Sequence, residues 1–245
     1  MNGQQLKNSI LQMAVQGKLV PQDPNDEPAS VLIQRIREEK EKLIKEKKIK
    51  KEKNPSYIFR GSDNLHYEKF GDNEPILISD KFPFDIPDSW ELCRLGDFYT
   101  TVSGLAYKKG DLQKKSDLMI TVLRGGNIGD EKYYFKPDDV TISSEFVKKE
   151  LFLKKGYMIT PAVSSIDHIG KIALIDKDYS NVVVGGFVLM LQPFFNDEVI
   201  SKYFLYAFAA KHHRENCRNI THKSGQAFYN LSREKLLNLP IPVPP

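Results

Sequence analysis

The side chains best suited to chemistry lie in three short loops, not in one catalytic cluster. Tyr107-Lys108-Lys109 follows Ser103-Gly104, and Arg124-Gly125-Gly126-Asn127 follows an apolar run. A longer loop runs from Thr221 to Asn230 and carries His222, Lys223, Ser224, Gln226, Tyr229 and Asn230. Arg, Lys, Asn and Gln pair with base edges in the major groove. Lys, Ser, Thr and backbone amides serve phosphates. Glycine lets a backbone come close to a ligand. Each loop alone reads better as solvated surface; with three in one domain, DNA binding and solvated surface are equally good readings.

Other chemistry is poorly supported. Gly125-Gly126-Asn127-Ile128-Gly129 lacks the spacing of a dinucleotide loop or a P-loop. No His/Cys cluster has zinc spacing. Ser165, Asp167 and His168 are near neighbours in sequence, whereas a catalytic triad is assembled from separate elements. There is no Asn-Pro-Pro-aromatic run of the kind adenine methylation would call for.

The elements that must position these loops are short. β-rich runs occur at Glu91–Leu95, Met119–Leu123, Tyr157–Thr160, Lys171–Asp176, Val182–Val184 and Val188–Leu191. Near Ile200–Asn216 the period becomes helical, with Ile200, Phe204, Ala207 and Lys211 on one face. Lys202, Lys211, Arg214 and Arg218 make this stretch basic, and they are the expected phosphate contacts. Ser232 suits the cap of a last short helix, and the chain ends in an extended Leu239–Pro245 segment. Trp90, the only tryptophan, closes a proline-rich run from Phe82 and reads as a core anchor.

The N-terminal part reads differently. Leu6, Ile10 and Met13 define one face of a helix from Gln4 to Gln16, which Gly17 caps. Pro28 suits the first turn of a second helix. Leu32, Ile36 and Leu43 form its expected packing stripe, with Glu38/Lys42 and Glu41/Lys45 pairs opposite. Extended to Lys53, this helix would be roughly 39 Å long, close to the ~34–36 Å turn of B-DNA. So narrow a stripe needs a partner helix; the alternative reading is a solvated, lysine-rich surface helix. The expected divisions are a helical region at 1–53, a connector at 54–81 and a recognition domain at 82–245.

Composition sets broad limits. The 245 residues carry a net charge of +4, which says little about partners. Cys93 and Cys217 have no metal-type spacing and read as inert. With no secretory segment and no apolar run near 18 residues, a cytoplasmic setting away from membranes is expected.

The segment Ile10–Ala29, with its Gly17-Lys18-Leu19-Val20-Pro21 core, resembles the shared helical region of type I restriction–modification specificity subunits. The likeness continues through Arg35-Ile36-Arg37. Ile58-Phe59-Arg60-Gly61 and His66–Gly71 resemble a connector of some members, and Ile86-Pro87-Asp88-Ser89-Trp90 with Arg94-Leu95-Gly96-Asp97 resembles the start of their recognition domains. Gly170-Lys171-Ile172-Ala173 and Leu239–Pro245 fit the middle and end.

The resemblance implies an α+β fold. A helical hairpin with a long coiled-coil spacer helix would precede a mixed α/β target recognition domain similar to the DNA-binding domain of an adenine methyltransferase. It implies a non-catalytic subunit that binds half of a bipartite target in double-stranded DNA and positions methyltransferase and restriction subunits. S-adenosylmethionine, ATP and magnesium would belong to those partners, with no cofactor in this chain. One helical region and one recognition domain are present, where the family pattern has two of each. Both a chain cut at a domain boundary and a natural half subunit that dimerises through the long helix fit this. The competing readings are a non-DNA assembly adaptor that docks a partner on the helical arm, and an enzyme with an unrecognised site.

Overall fold

A computed structural model describes residues 2–51, 55–78, 82, 84–114, 116–224 and 226–245. It divides into two compact units. The first contains residues 1–100 and 237–245, and the second contains residues 101–236.

In the first unit, α1 (Gly3–Val15) starts on a capping box. The Asn2 side chain accepts the Gln5 amide at 2.9 Å, and the Gln5 side chain accepts the Asn2 amide at 2.8 Å, so two orphan donors are satisfied reciprocally. Gly17 follows with φ +66°. A Cβ there would lie 2.4 Å from Pro87 Cγ, so both conformation and packing require glycine. Trp90 is buried beside it and donates its indole N–H to Gln22 at 2.7 Å. The Leu6–Ile10–Met13 face of α1 is not the one packed within the chain. Leu11 and Val15 are buried, whereas Leu6, Ile10 and Met13 are 49%, 42% and 45% exposed.

Helix α2 (Ala29–Lys45) is 17 residues long, or about 25 Å. It stops short of the expected spacer, whose end at Lys53 lies outside the described residues. Lys47 adopts φ +58°. Lys48 N–H then donates to Leu43 C=O at 3.0 Å and Lys47 N–H to Ile44 C=O at 3.0 Å, closing a Schellman motif. The buried stripe is Ala29, Ile33 and Ile36. Of the expected interface only Ile36 is buried; Leu32 and Leu43 are half-buried. The stripe's neighbour is α3 (Leu95–Phe98) of the same unit, and Lys40 Nζ donates to Gly96 C=O at 2.7 Å.

The stretch expected to be a connector folds into an antiparallel sheet, β1 (Ser56–Arg60), β2 (His66–Phe70) and β3 (Ile76–Leu77), in that order. Ile58 and Ile78 join Phe82 and Leu92 in a small core. Glu68 is buried on this sheet and pairs with Arg94, which lies on β4 (Glu91–Arg94), while accepting the Ser56 hydroxyl at 2.7 Å. The C-terminal strand Pro240–Val243 pairs antiparallel with β4 in a two-stranded sheet. Its prolines are tolerated there because such a strand has an edge that needs no N–H donors. Segments 82–100 and 237–245 therefore belong with the N-terminal unit, a division different from the expected boundaries at 53/54 and 81/82.

β5 (Tyr99–Ser103) carries the chain across the division into the second unit. There β6 (Met119–Leu123), β7 (Val140–Ser143), β8 (Met158–Pro161), β9 (Val163–Ser164), β10 (Ala173–Leu174), β11 (Val182–Val184) and β12 (Val188–Pro193) follow. One sheet has the order β10-β8-β12-β5, and a second has the order β11-β6-β7. Leu123, Ile159, Val184 and Met190 share a core cluster. Gly104 allows the close approach of the loop after β5 to β11: a Cβ there would sit 2.3 Å from Gly185 O and 2.4 Å from Val184 O.

Helix α4 (Glu198–Ala209) is capped by Asp197, which accepts from Val199 and Ile200, and it buries Phe204 and Ala207. Ala210, with ψ 142°, breaks the expected continuous helix, so Lys211 opens a separate α5 (Lys211–Asn219). β13 (Thr221–Ser224) and β14 (Phe228–Leu231) then form a hairpin whose base pairs with β9, and α6 (Arg233–Leu237) follows. The chain is thus mixed helix and sheet, and a long coiled-coil spacer does not form among the described residues.

Candidate nucleic-acid interface

The loop after β6 is built by Asn127. Its Oδ1 accepts the Arg124 amide at 2.8 Å, and its Nδ2 donates to Tyr134 C=O at 2.9 Å and to the Asp139 carboxylate at 2.5 Å. It is 1% exposed. Asn127 is therefore a fixture of the loop, and its amide has nothing left to offer a base edge. Arg124, which it holds in place, is exposed. The guanidinium is 4.0 Å from the exposed Asp138 carboxylate, a loose pair of little strength.

Beyond β5, Tyr107 packs over the core cluster of Ile120, Val122 and Ile142, while Lys108 and Lys109 stay exposed. The Lys108 amide donates to Asp111 at 2.8 Å, which fixes the turn. On the hairpin, His222, Lys223, Ser224 and Gln226 are exposed, and Tyr229 and Asn230 are half-buried. His222 lies opposite Asn230, and Lys223 opposite Tyr229. Tyr229 and Asn230 in turn pair with Ser164 and Val163 of β9.

The Tyr107 and Arg124 loops share one concavity. A concavity of about 530 Å³ is lined by Tyr107, Arg124, Gly125, Gly126, Ser164 and Phe187, among others. β9 is the link between its wall and the hairpin. Sequence reasoning missed two exposed rings on this side, Phe187 (70%) and Phe228 (55%). It also missed Lys136, whose Nζ lies beside Gly126, 3.4 Å from the position of an added Cβ. The signal that could have found Phe187 is a Gly185-Gly186-Phe187 turn between two buried valine-rich strands.

The expected phosphate contacts are less available. Lys202 pairs with Glu198 at 2.8 Å, and Glu198 also holds Lys155 at 3.0 Å. Hydrogen bonds from Lys202 and Lys155, with their charges, bring the Glu198 carboxyl down to about 2. Lys211 pairs with Glu215 at 3.7 Å one helical turn away. Arg214 is half-buried and ion-paired with Asp130, and its side chain packs against Gly170. Arg218 is half-buried. Only exposed pairs of the Lys202 and Lys211 kind exchange readily for a phosphate.

His213 is buried edge-on to Phe208, with ring centroids 4.0 Å apart; burial, with a smaller push from His212, brings its pKa down to about 3. Burial pushes the Cys217 thiol up to about 12 and the Cys93 thiol well above its ordinary value, so neither is poised as a nucleophile. Ser165 and His168 are members of one tight turn closed by His168 N–H to Ser165 C=O at 3.0 Å. Among the described residues no His/Cys/Asp/Glu group could hold a metal ion, and no helix is long and apolar enough to cross a membrane.

Residues 87–245 match the family described as the type I restriction modification DNA specificity domain. The type I restriction enzyme EcoAI specificity subunit of Escherichia coli is 42% identical over 123 residues, covering 50% of this chain and 17% of that protein. The EcoEI specificity subunit of the same organism is 28% identical over 249 aligned positions, covering 98% of this chain and 37% of that protein. The chain therefore spans well under half the length of these relatives. Two solved structures are also similar. A type I restriction-modification system S subunit from M. genitalium gives a TM-score of 0.41 at 18% identity, covering 62% of this chain and 34% of that one. An HsdS subunit from Thermoanaerobacter tengcongensis gives 0.44 at 19%, covering 66% and 35%. With the family match running through most of its residues, the chain belongs to the type I restriction–modification specificity subunits, as a partial-length member.

Proposed function

We propose that this chain reads one half of a bipartite target in double-stranded DNA, through the loops of its second unit. The observation that carries the reading is the concavity shared by Tyr107 and Arg124, to whose Val163–Ser164 wall the hairpin is tied through β9. Arg124, His222, Lys223, Ser224 and Gln226 supply exposed hydrogen-bonding groups for base edges. Lys108, Lys109 and Lys136 border them as phosphate contacts. Tyr229 and Asn230 sit at the root of the hairpin and set its direction. Asn127 leaves the list of readers and becomes a positioning residue. Lys202 and Lys211 are peripheral, and Arg214 is structural.

The chain itself is non-catalytic in this reading. Methyltransferase subunits would act where it places them, and restriction subunits would join for cleavage. S-adenosylmethionine, ATP and magnesium would be theirs. Segment 82–245 is the proposed recognition region, and the N-terminal helices would pair with a second helical region, from another part of a longer protein or from a second copy.

Selection from a random duplex library, using the full chain with its methyltransferase subunit, tests this. A fixed half-site motif is expected, and recovery of unenriched DNA would contradict it. Methylation by the chain alone with S-adenosylmethionine would overturn the non-catalytic assignment. The adaptor reading has one observation in its favour, the exposed Leu6–Ile10–Met13 face of α1. It predicts that no motif emerges while a partner still binds.

A further inference from the structure

Phe187 leaves its ring 70% exposed, which forfeits most of its burial free energy. A single exposed apolar side chain is ordinary by itself; its position singles this one out. Phe187 lies in a tight turn closed by Val188 N–H to Gly185 C=O at 2.9 Å. Its own carbonyl accepts from Ala162 at 2.8 Å and from Val163 at 3.3 Å. The backbone is thus fixed on both sides while the ring is left outside. Gly185 is held by Leu123 C=O at 2.8 Å, on the strand that leads straight into Arg124. Val163 is paired with Asn230, at the root of the hairpin. Phe187 therefore stands between the two richest polar loops and lines the same concavity as Arg124 and Tyr107.

The shape of the hairpin selects the groove. β9 pairs with Tyr229 and Asn230, so the outermost pair of the hairpin, Ser224 with Phe228, extends past β9 as two strands. A two-stranded ribbon fits the major groove. In that groove the one apolar group on any base edge is the thymine C5-methyl, for which phenylalanine is a fitting contact. Resting on the DNA-reading function proposed above, we propose that Phe187 is a specificity-determining residue that packs on a thymine methyl in the major groove, beside the base pair contacted by Arg124.

The test uses the full chain with its methyltransferase subunit and the motif it selects. Each thymine of the motif is replaced in turn by uracil, which removes only the methyl group. At one position wild type should bind about fourfold more weakly, the factor one buried methyl-sized group is worth. Phe187→Ala should bind the parent duplex more weakly by a similar factor and be indifferent to uracil there, within about 1.5-fold. Phe187→Leu should recover part of the sensitivity. Thermal unfolding of both variants should match wild type, because the ring is exposed. Uracil sensitivity that is the same in Phe187→Ala and wild type overturns the assignment, as does a motif without a fixed A·T pair. Failure of the wild-type complex to select any motif would instead sink the DNA-reading function itself.

Discussion

Helix α5 and the hairpin that follows it are neighbours in sequence, and by charge the helix is the more attractive DNA element. Lys211, Arg214 and Arg218 crowd nine residues, whereas the hairpin offers Lys223 alone. The structure reverses that ranking. Lys211 and Arg214 are already ion-paired, His213 is buried and neutral, and Arg218 is half-buried. The hairpin and the Arg124 loop hold fewer charges but leave them facing solvent. Burial and packing, which hold Arg214, Arg218 and His213, limit availability for a ligand more than the number of cations suggests.

The largest expected departure is Arg214→Ala. It opens the packing over Gly170 and removes the pair with the exposed Asp130, so it should destabilise the protein by about 2 kcal/mol in denaturant unfolding, chiefly through lost packing. An effect under about 0.5 kcal/mol would return Arg214 to the pool of free cations.

His213 sharpens the contrast through pH. Its pKa is about 3 in the folded protein against about 6.5 unfolded. Between those values the unfolded chain binds the extra proton, so stability falls as pH drops below about 6.5 and continues to fall until about 3. At pH 5 this amounts to about 2 kcal/mol relative to neutral pH. His213→Leu should remove that part of the acid sensitivity; unfolding curves that stay parallel to wild type across this range would show that His213 is not its source.

Lys223→Ala should leave stability within about 0.5 kcal/mol and reduce the slope of log affinity against log salt by about one. Smallest of all, Lys202→Ala and Lys211→Ala should change stability by no more than about 0.5 kcal/mol, with the salt slope nearly unchanged. A slope lost equally in Lys211→Ala and Lys223→Ala would erase the distinction between helix and hairpin.

Much of this architecture is legible in the sequence, for identifiable reasons. Short β-branched runs between turns mark β6, β8, β11 and β12, and Gly17 marks the end of α1. The end of α2 is hidden because the left-handed position of its Schellman motif is filled by Lys47, with no glycine to announce it. The break between α4 and α5 falls on Ala210, a good helix former, so no residue type marks it. The sheet at 56–77 escapes because its strands are short and its buried positions include His66 and Glu68. In the candidate site, residue type singles out Arg124, Lys223 and Asn127 alike; only packing shows the first two exposed and Asn127 wholly consumed by its loop. Which side of α1 packs within the chain is hidden for a related reason: Leu11 and Val15 are as apolar as Leu6 and Ile10, and only packing chooses between the two sides.

The central claim is that recognition rests on the polar loops and not on the basic helix. The most direct test is the half-site selection run side by side on wild type, Gln226→Ala and Lys211→Ala. Gln226→Ala should relax or change the preferred base at one position, while Lys211→Ala returns the wild-type motif. A motif untouched by Gln226→Ala but altered by Lys211→Ala would contradict the account.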